Sequence, residues 1–128
     1  MTATILVVED SPASIKLATM LLEKDGYQVL QAENATDGLM LAQLHFPSVI
    51  LMDIQLPDMD GLSAIRLLKK NQSTKHIKVV ALTAFAMKGD ERRMLDNGCD
   101  GYIAKPFLPA TLSEEMYRLL GGNPDESF

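Results

Sequence analysis

Short apolar, largely β-branched runs alternate along the chain with longer amphipathic stretches. Ile5-Leu6-Val7-Val8 has strand length and is halted by Glu9-Asp10. Ser11 then offers a cap and Pro12 suits a first helical turn, after which Ile15, Leu17, Ala18, Leu21 and Leu22 recur at helical spacing. Asp25-Gly26 ends that helix, and Tyr27 to Ala32 reads as a second strand. A helix over Ala35 to His45 carries Leu39, Leu41, Ala42 and Leu44, and Pro47 stops it. Val49-Ile50-Leu51-Met52 is apolar at every position, the mark of a strand buried on both faces, and it runs into Asp53. Beyond Pro57 and Gly61, Leu62, Ile65, Leu67 and Leu68 outline a third helix. Val79 to Leu82 repeats the buried-strand pattern and ends at Thr83. A helix near Met87 to Asn97, a short strand Gly101–Ala104 and a helix over Pro109 to Leu120 complete the pattern. This regular alternation predicts an α/β fold, a doubly wound five-stranded parallel sheet with helices on both faces. One domain is expected over residues 1–122, with 123–128 a short C-terminal tail.

Composition narrows the function classes. At 128 residues and 47% hydrophobic content the chain can build a core without staples. A formal net charge of −5 disfavours general binding to nucleic acid or anionic membranes. A single cysteine, Cys99, rules out an intrachain disulfide and a cysteine-based zinc site. The start lacks a basic segment followed by a long apolar one, and no apolar run reaches bilayer-spanning length. A soluble cytoplasmic domain without membrane insertion or direct nucleic-acid contact is the expectation.

In a doubly wound sheet, functional groups gather at the carboxyl ends of the strands. Glu9 and Asp10 follow the first strand, Asp53 ends the third, Thr83 ends the fourth and Lys105 follows the fifth. Three carboxylates converging in one cleft repel unless a cation joins them, and an all-oxygen site with room for water suits magnesium. Lys105 and the Thr83 hydroxyl add a positive charge and a donor. Acids for a metal beside a cation and a hydroxyl for an anion suit phosphoryl chemistry, with one carboxylate left as nucleophile.

These residues sit in recognisable motifs: ILVVEDS at 5–11, VILMDIQLPDMDGL at 49–62, VVALTA at 79–84 and GYIAKPF at 101–107. In this order they make the chain resemble the receiver domain of bacterial two-component response regulators over essentially its whole length. ALTAFAMKGDE is similar to the single-domain division-control regulators of the DivK type. The resemblance implies a flavodoxin-like (βα)5 fold and a stand-alone signalling switch that is not an enzyme. It makes Asp53 the phosphoacceptor. Glu9, Asp10, Asp53 and the backbone carbonyl of Gln55 would hold Mg2+, with Mn2+ an alternative. Thr83 and Lys105 would bind phosphoryl oxygens, Thr83 and Tyr102 would form the switch, and Lys105-Pro106 would be a cis peptide. The donor would be a histidine kinase or histidine phosphotransfer protein, docked beside Ser11, Ser14 and Ile15. Output would pass to a downstream protein across the fourth helix, fifth strand and fifth helix, with Phe85, Met87, Lys88 and Phe107 on that face. Phe85 would also shield the acyl phosphate from water.

Plainer readings stand beside these. Singly, Asp53 is a turn or cap residue, Thr83 a strand-end hydroxyl, Lys105 a solvated lysine and Tyr102 a core aromatic. His45 and His76 read as surface residues, Cys99 as a small core filler, and the basic run from Arg66 to Arg93 as solvated helix faces. Three rivals follow: an aspartyl-nucleophile phosphatase, a receiver-like module that is never phosphorylated, and a receiver excised from a larger kinase or regulator. The phosphatase expects a second acid where Gln55 stands.

Overall fold

The computed structural model describes residues 3–84 and 90–121. Ten elements alternate: β1 (Thr4–Val8), α1 (Pro12–Lys24), β2 (Gln28–Ala32), α2 (Ala35–His45), β3 (Val49–Asp53), α3 (Gly61–Lys70), β4 (Lys78–Thr83), α4 (Asp90–Asp96), β5 (Gly101–Ala104) and α5 (Pro109–Leu120). The strands form one parallel sheet in the order β2-β1-β3-β4-β5. The chain order therefore reverses between β1 and β3, where the connections leave in opposite directions and open a crevice at the carboxyl edge.

Continuous apolarity is explained by burial on both sides. Alternate strand residues face two separate cores. Leu6, Val8, Ile50, Met52, Val79 and Ala81 pack under α2, α3 and α4. Ile5, Val7, Val49, Leu51, Val80 and Leu82 pack under α1 and α5. Local chemistry ends the helices where the sequence suggests. Ser11 caps α1 by accepting from the Ser14 N–H, and Gly26 takes φ 94° beyond its end. The stop before Pro47 is made by Phe46 in the left-handed region at φ 46°.

Three leucines assigned to helix stripes are exposed instead: Leu17, Leu44 and Leu67. In α2 the reason is close approach. Its buried residues are Ala35, Gly38 and Ala42, a small-residue face laid directly on the sheet, which leaves Leu44 on the flank. A Cβ at Gly38 would stand 2.7 Å from Val8 Cγ2. The basic run also departs from a wholly solvated reading. Arg66, Lys70, Lys75, Lys78, Arg92 and Arg93 are exposed. Lys69, however, reaches inward, donating to the Ile77 carbonyl and to Asp100 Oδ2, both at 2.8 Å. Asp100 also accepts from the Val79 N–H, so this pair ties α3 to the entry of β4. His45 and His76 are exposed and Cys99 is buried, as expected. Residues 85–89 and the tail 123–128 lie outside the described residues.

The α2–β1 contact makes a stability prediction. Gly38→Ala adds a methyl that Val8 cannot avoid, costing about 1–3 kcal/mol by overpacking, offset by roughly 1 kcal/mol of helix propensity. Urea denaturation is expected to show a net loss of about 1 kcal/mol with an unchanged slope. Adding Val8→Ala to that variant should cost less than Val8→Ala alone, because losing the Val8 methyls relieves the clash.

Candidate functional site

The crevice at the reversal holds the acidic residues. Glu9 leaves β1 with its N–H bonded to the Ala32 carbonyl at 3.0 Å, which fixes it beside β2. It is fully buried, Asp53 at the end of β3 is 3% exposed, and Asp10 faces solvent. One carboxylate oxygen from each of Glu9, Asp10 and Asp53 falls within 4.8 Å of the others. Lys105, immediately after β5, crosses to this cluster. Its Nζ donates to Asp53 Oδ2 at 2.8 Å and lies 2.5 Å from Glu9 Oε2. Its N–H donates to the Thr83 carbonyl at 2.8 Å, and the Lys105-Pro106 bond is cis. Thr83 is fully buried at the end of β4.

Three carboxylates against one ammonium is an unbalanced set. Burial pushes the Glu9 carboxyl up to about 7, and the Asp53 charge adds to this, although Lys105 and the Ser11 N–H act the other way. Burial alone would lower the Lys105 pKa, but its bonds to Asp53 and Glu9 outweigh that and hold it above the ordinary value. Among the described residues, Glu9 Oε2 is met by the Lys105 ammonium alone. A fully buried carboxylate that shares one ammonium with Asp53, flanked by two more carboxylates, fits a divalent cation. The donor set is all oxygen, which favours Mg2+ over softer metals.

The loop after β3 is strongly constrained. The Gln55 N–H donates to Asp53 Oδ1 at 2.9 Å and the Ile54 N–H to the Leu82 carbonyl at 3.1 Å. Gly61 returns the chain so closely that a Cβ there would meet the Asp53 carbonyl oxygen at 2.1 Å. Asp60 caps α3 by accepting from the Leu62 N–H. Asp58 reaches away from the site to α2, where it accepts from the Ala35 and Thr36 N–H groups at 2.9 Å and the Thr36 hydroxyl at 2.6 Å. The Thr36 hydroxyl and those two amides hold the Asp58 carboxyl down to about 2.

This arrangement matches known proteins along nearly its whole length. The model of the response regulator receiver domain matches residues 5–117. The chain belongs to that family. This receiver domain is 42% identical over 121 residues to the polar-differentiation response regulator DivK of Brucella ovis, covering 94% of this chain and 98% of that protein. It is therefore DivK-like and a component of two-component signalling. The receiver domain of sensor histidine kinase PA1611 from Pseudomonas aeruginosa, solved with magnesium coordinated in the active site cleft, superimposes with TM-score 0.87 at 33% identity, covering 95% of this chain and all of that one. Chemotaxis response regulator CheY4 of Vibrio cholerae gives TM-score 0.87 at 26% identity, covering 93% and 99%.

The crevice brings Glu9, Asp10, Asp53 and Lys105 together, with Gln55 and Thr83 beside them. Tyr102 stands apart on β5, half-buried against the core under α2 to α4. The Glu91 charge on α4, with burial and a hydrogen bond to Glu91, raises its phenol above the ordinary value. Two expected surface residues are not on the surface. Phe107 is buried in the core under α1 and α5, and Ile15 on α1 is only 6% exposed. Phe85, Met87 and Lys88 lie outside the described residues. Asp58 went unread in the sequence because its partners are on a different element; an Asp after Pro in a loop signals only a turn.

The buried Glu9 makes a pH prediction for the metal-free protein. Its carboxyl is raised from 4.5 to about 7. The folded state therefore favours the protonated form, whose stabilisation is complete below pH 4.5 and is lost as pH climbs through about 7. Between these limits the unvaried chain should lose stability relative to Glu9→Gln, read by urea denaturation in the presence of a chelator. Parallel pH profiles for the two proteins would contradict the assignment.

Proposed function

We propose that Asp53 accepts a phosphoryl group from a phosphohistidine of a histidine kinase or phosphotransfer protein. The carrying observation is the Asp53 carboxylate set at the reversal between Glu9 and Lys105, with Lys105 Nζ 2.8 Å from Oδ2. Glu9, Asp10, Asp53 and the Gln55 carbonyl would hold Mg2+, which supplies the charge neutralisation that lets a phosphoryl group approach three acids.

The chain's own groups account for the rest. A carboxylate oxygen of Asp53 attacks phosphorus as the phosphorus–nitrogen bond of the donor breaks, and the electron pair stays on the imidazole nitrogen. The product is an acyl phosphate, a new dianionic group where Asp53 stood. Lys105, released from Asp53 Oδ2, turns its ammonium to a phosphoryl oxygen. The Thr83 hydroxyl donates to another by moving toward it. Tyr102, on the neighbouring strand and half-buried, follows into the space vacated near Thr83, which changes the surface around α4, β5 and α5. That surface then acts on a separate protein.

Donor docking is supported on the other side of the cleft. A depression of about 410 Å3 lies between α1 and the turn after β5, lined by Ser14, Leu17, Ala84, Lys105, Pro106 and Phe107. Exposed Leu17 thus takes the docking role expected of Ile15.

Incubation with acetyl phosphate and Mg2+ should add one phosphoryl group by intact mass. Asp53→Asn keeps the size, lacks the anionic nucleophile and should not be labelled. Excess chelator should abolish labelling of the unvaried chain. Full labelling of Asp53→Asn would place the acceptor elsewhere. Tyr102→Ala should leave labelling nearly intact while weakening capture of the output partner.

A further inference from the structure

We infer that Asp58 is a positioning residue for the divalent cation site, clamping the loop that carries Gln55 onto the helix that braces Glu9. The inference rests on the proposed metal set and adds a residue outside it. Glu9 and Asp10 leave β1, whereas Asp53 and Gln55 belong to β3 and the loop beyond it. Mg2+ demands near-ideal octahedral geometry, so the relative height of these two groups matters more than the presence of the ligands alone.

The physical connection runs through α2. The Asp58 carboxylate takes both free N–H groups at the start of that helix, Ala35 and Thr36, and the Thr36 hydroxyl. The third early amide, Asp37, is already taken by Asn34 Oδ1 at 2.8 Å, so the amides of Ala35, Thr36 and Asp37 all have side-chain acceptors. Charge-assisted bonds of this kind at the positive end of a helix are strong and directional. The helix they reach is seated rigidly. Ala35 is fully buried, and Gly38 lies against Val8, the residue immediately before Glu9.

The path from Asp58 back to Gln55 is short and stiff. Only Leu56 and Pro57 intervene. Leu56 packs on the core, Pro57 fixes its own φ, and the residue before a proline is restricted as well. Gln55 is further paired with Asp60 across the loop. Asp58 therefore closes a ring: Glu9, β1, α2, Asp58, Gln55, Asp53. Without that clamp the loop keeps its base at Gly61 but loses its outer tether.

The test is titration of Mg2+ alone into the full chain, with acetyl phosphate labelling measured separately across Mg2+ concentrations. Asp58→Ala should bind Mg2+ about tenfold more weakly, the scale of losing an outer-shell partner. Thr36→Val removes only the hydroxyl contact and should weaken binding about threefold. Hydrogen exchange at the Ala35 and Thr36 amides should rise in Asp58→Ala. At saturating Mg2+ the labelling rate of both variants should return to within about twofold of the unvaried chain, because no ligand or nucleophile is lost. A merely structural defect would lower the maximal rate as well. Mg2+ affinity unchanged in Asp58→Ala, or a labelling rate that saturating Mg2+ does not restore, would overturn the clamp. If Asp58→Ala does not fold, Thr36→Val decides: unchanged affinity overturns the clamp and the threefold loss supports it. Asp10→Ala is the control for the underlying reading. Tight Mg2+ binding by Asp10→Ala, or none by the unvaried chain, overturns the metal set itself rather than the clamp alone.

Discussion

Three carboxylates held in one crevice against a single ammonium is the constraint on which the remaining features depend. Glu9 is fully buried and Asp53 nearly so, and the oxygens of Glu9, Asp10 and Asp53 crowd within 4.8 Å. Burial opposes ionisation of Glu9, and the neighbouring Asp53 charge adds to it. Lys105 relieves part of it, contacting Glu9 and Asp53 together. What remains is an appetite for positive charge that a divalent cation would satisfy, and under the proposed phosphorylation Lys105 would follow the new negative charge. The resting charge set and the proposed switching chemistry are thus two aspects of the same electrostatic imbalance.

The scaffold exists to hold that imbalance in place. Reversal of strand order between β1 and β3 puts the acids at one edge, and alternate burial of every central strand residue makes that edge rigid. Close packing does the fine positioning. Gly38 lets α2 rest on Val8, and Gly61 lets the loop after β3 fold back onto Asp53. Around the site the backbone is pinned by hydrogen bonds from Glu9, Ile54 and Lys105 to neighbouring strands. In the proposed switch the parts that move are side chains at its margin, so the surface changes without a change of fold.

Much of this is legible in the sequence for a physical reason. Buried parallel strands demand unbroken apolar runs, so Ile5–Val8, Val49–Met52 and Val79–Leu82 announce themselves, and the polar residues that end them form the candidate site. The last helix and the fifth strand could be bounded because Pro109, Gly121, Gly101 and the break after Ala104 are strong local signals. What stayed hidden depends on contacts between distant segments. Leu44 and Leu67 look like core until the small-residue face of α2 and the lie of α3 are known. Phe107 looks like part of an exposed output face until it is seen filling the seam under α1 and α5. Lys69 reads as one more solvated cation, yet it bonds to Asp100, and Asp58 reads as a turn residue, yet it caps a helix on another element. Local pattern reports which face of an element is apolar; it cannot report which polar side chain crosses to a neighbour.

If the charge imbalance governs the site, the Lys105 ammonium and the divalent cation compete for the same negative charge. The most direct measurement is Mg2+ affinity by titration calorimetry in Lys105→Met, which keeps the bulk and removes the charge. The account predicts tighter Mg2+ binding than in the unvaried chain, since three acids are then left without their resident counter-ion. Equal or weaker binding would contradict it, and would mean that Lys105 supports the acidic set by packing rather than by charge.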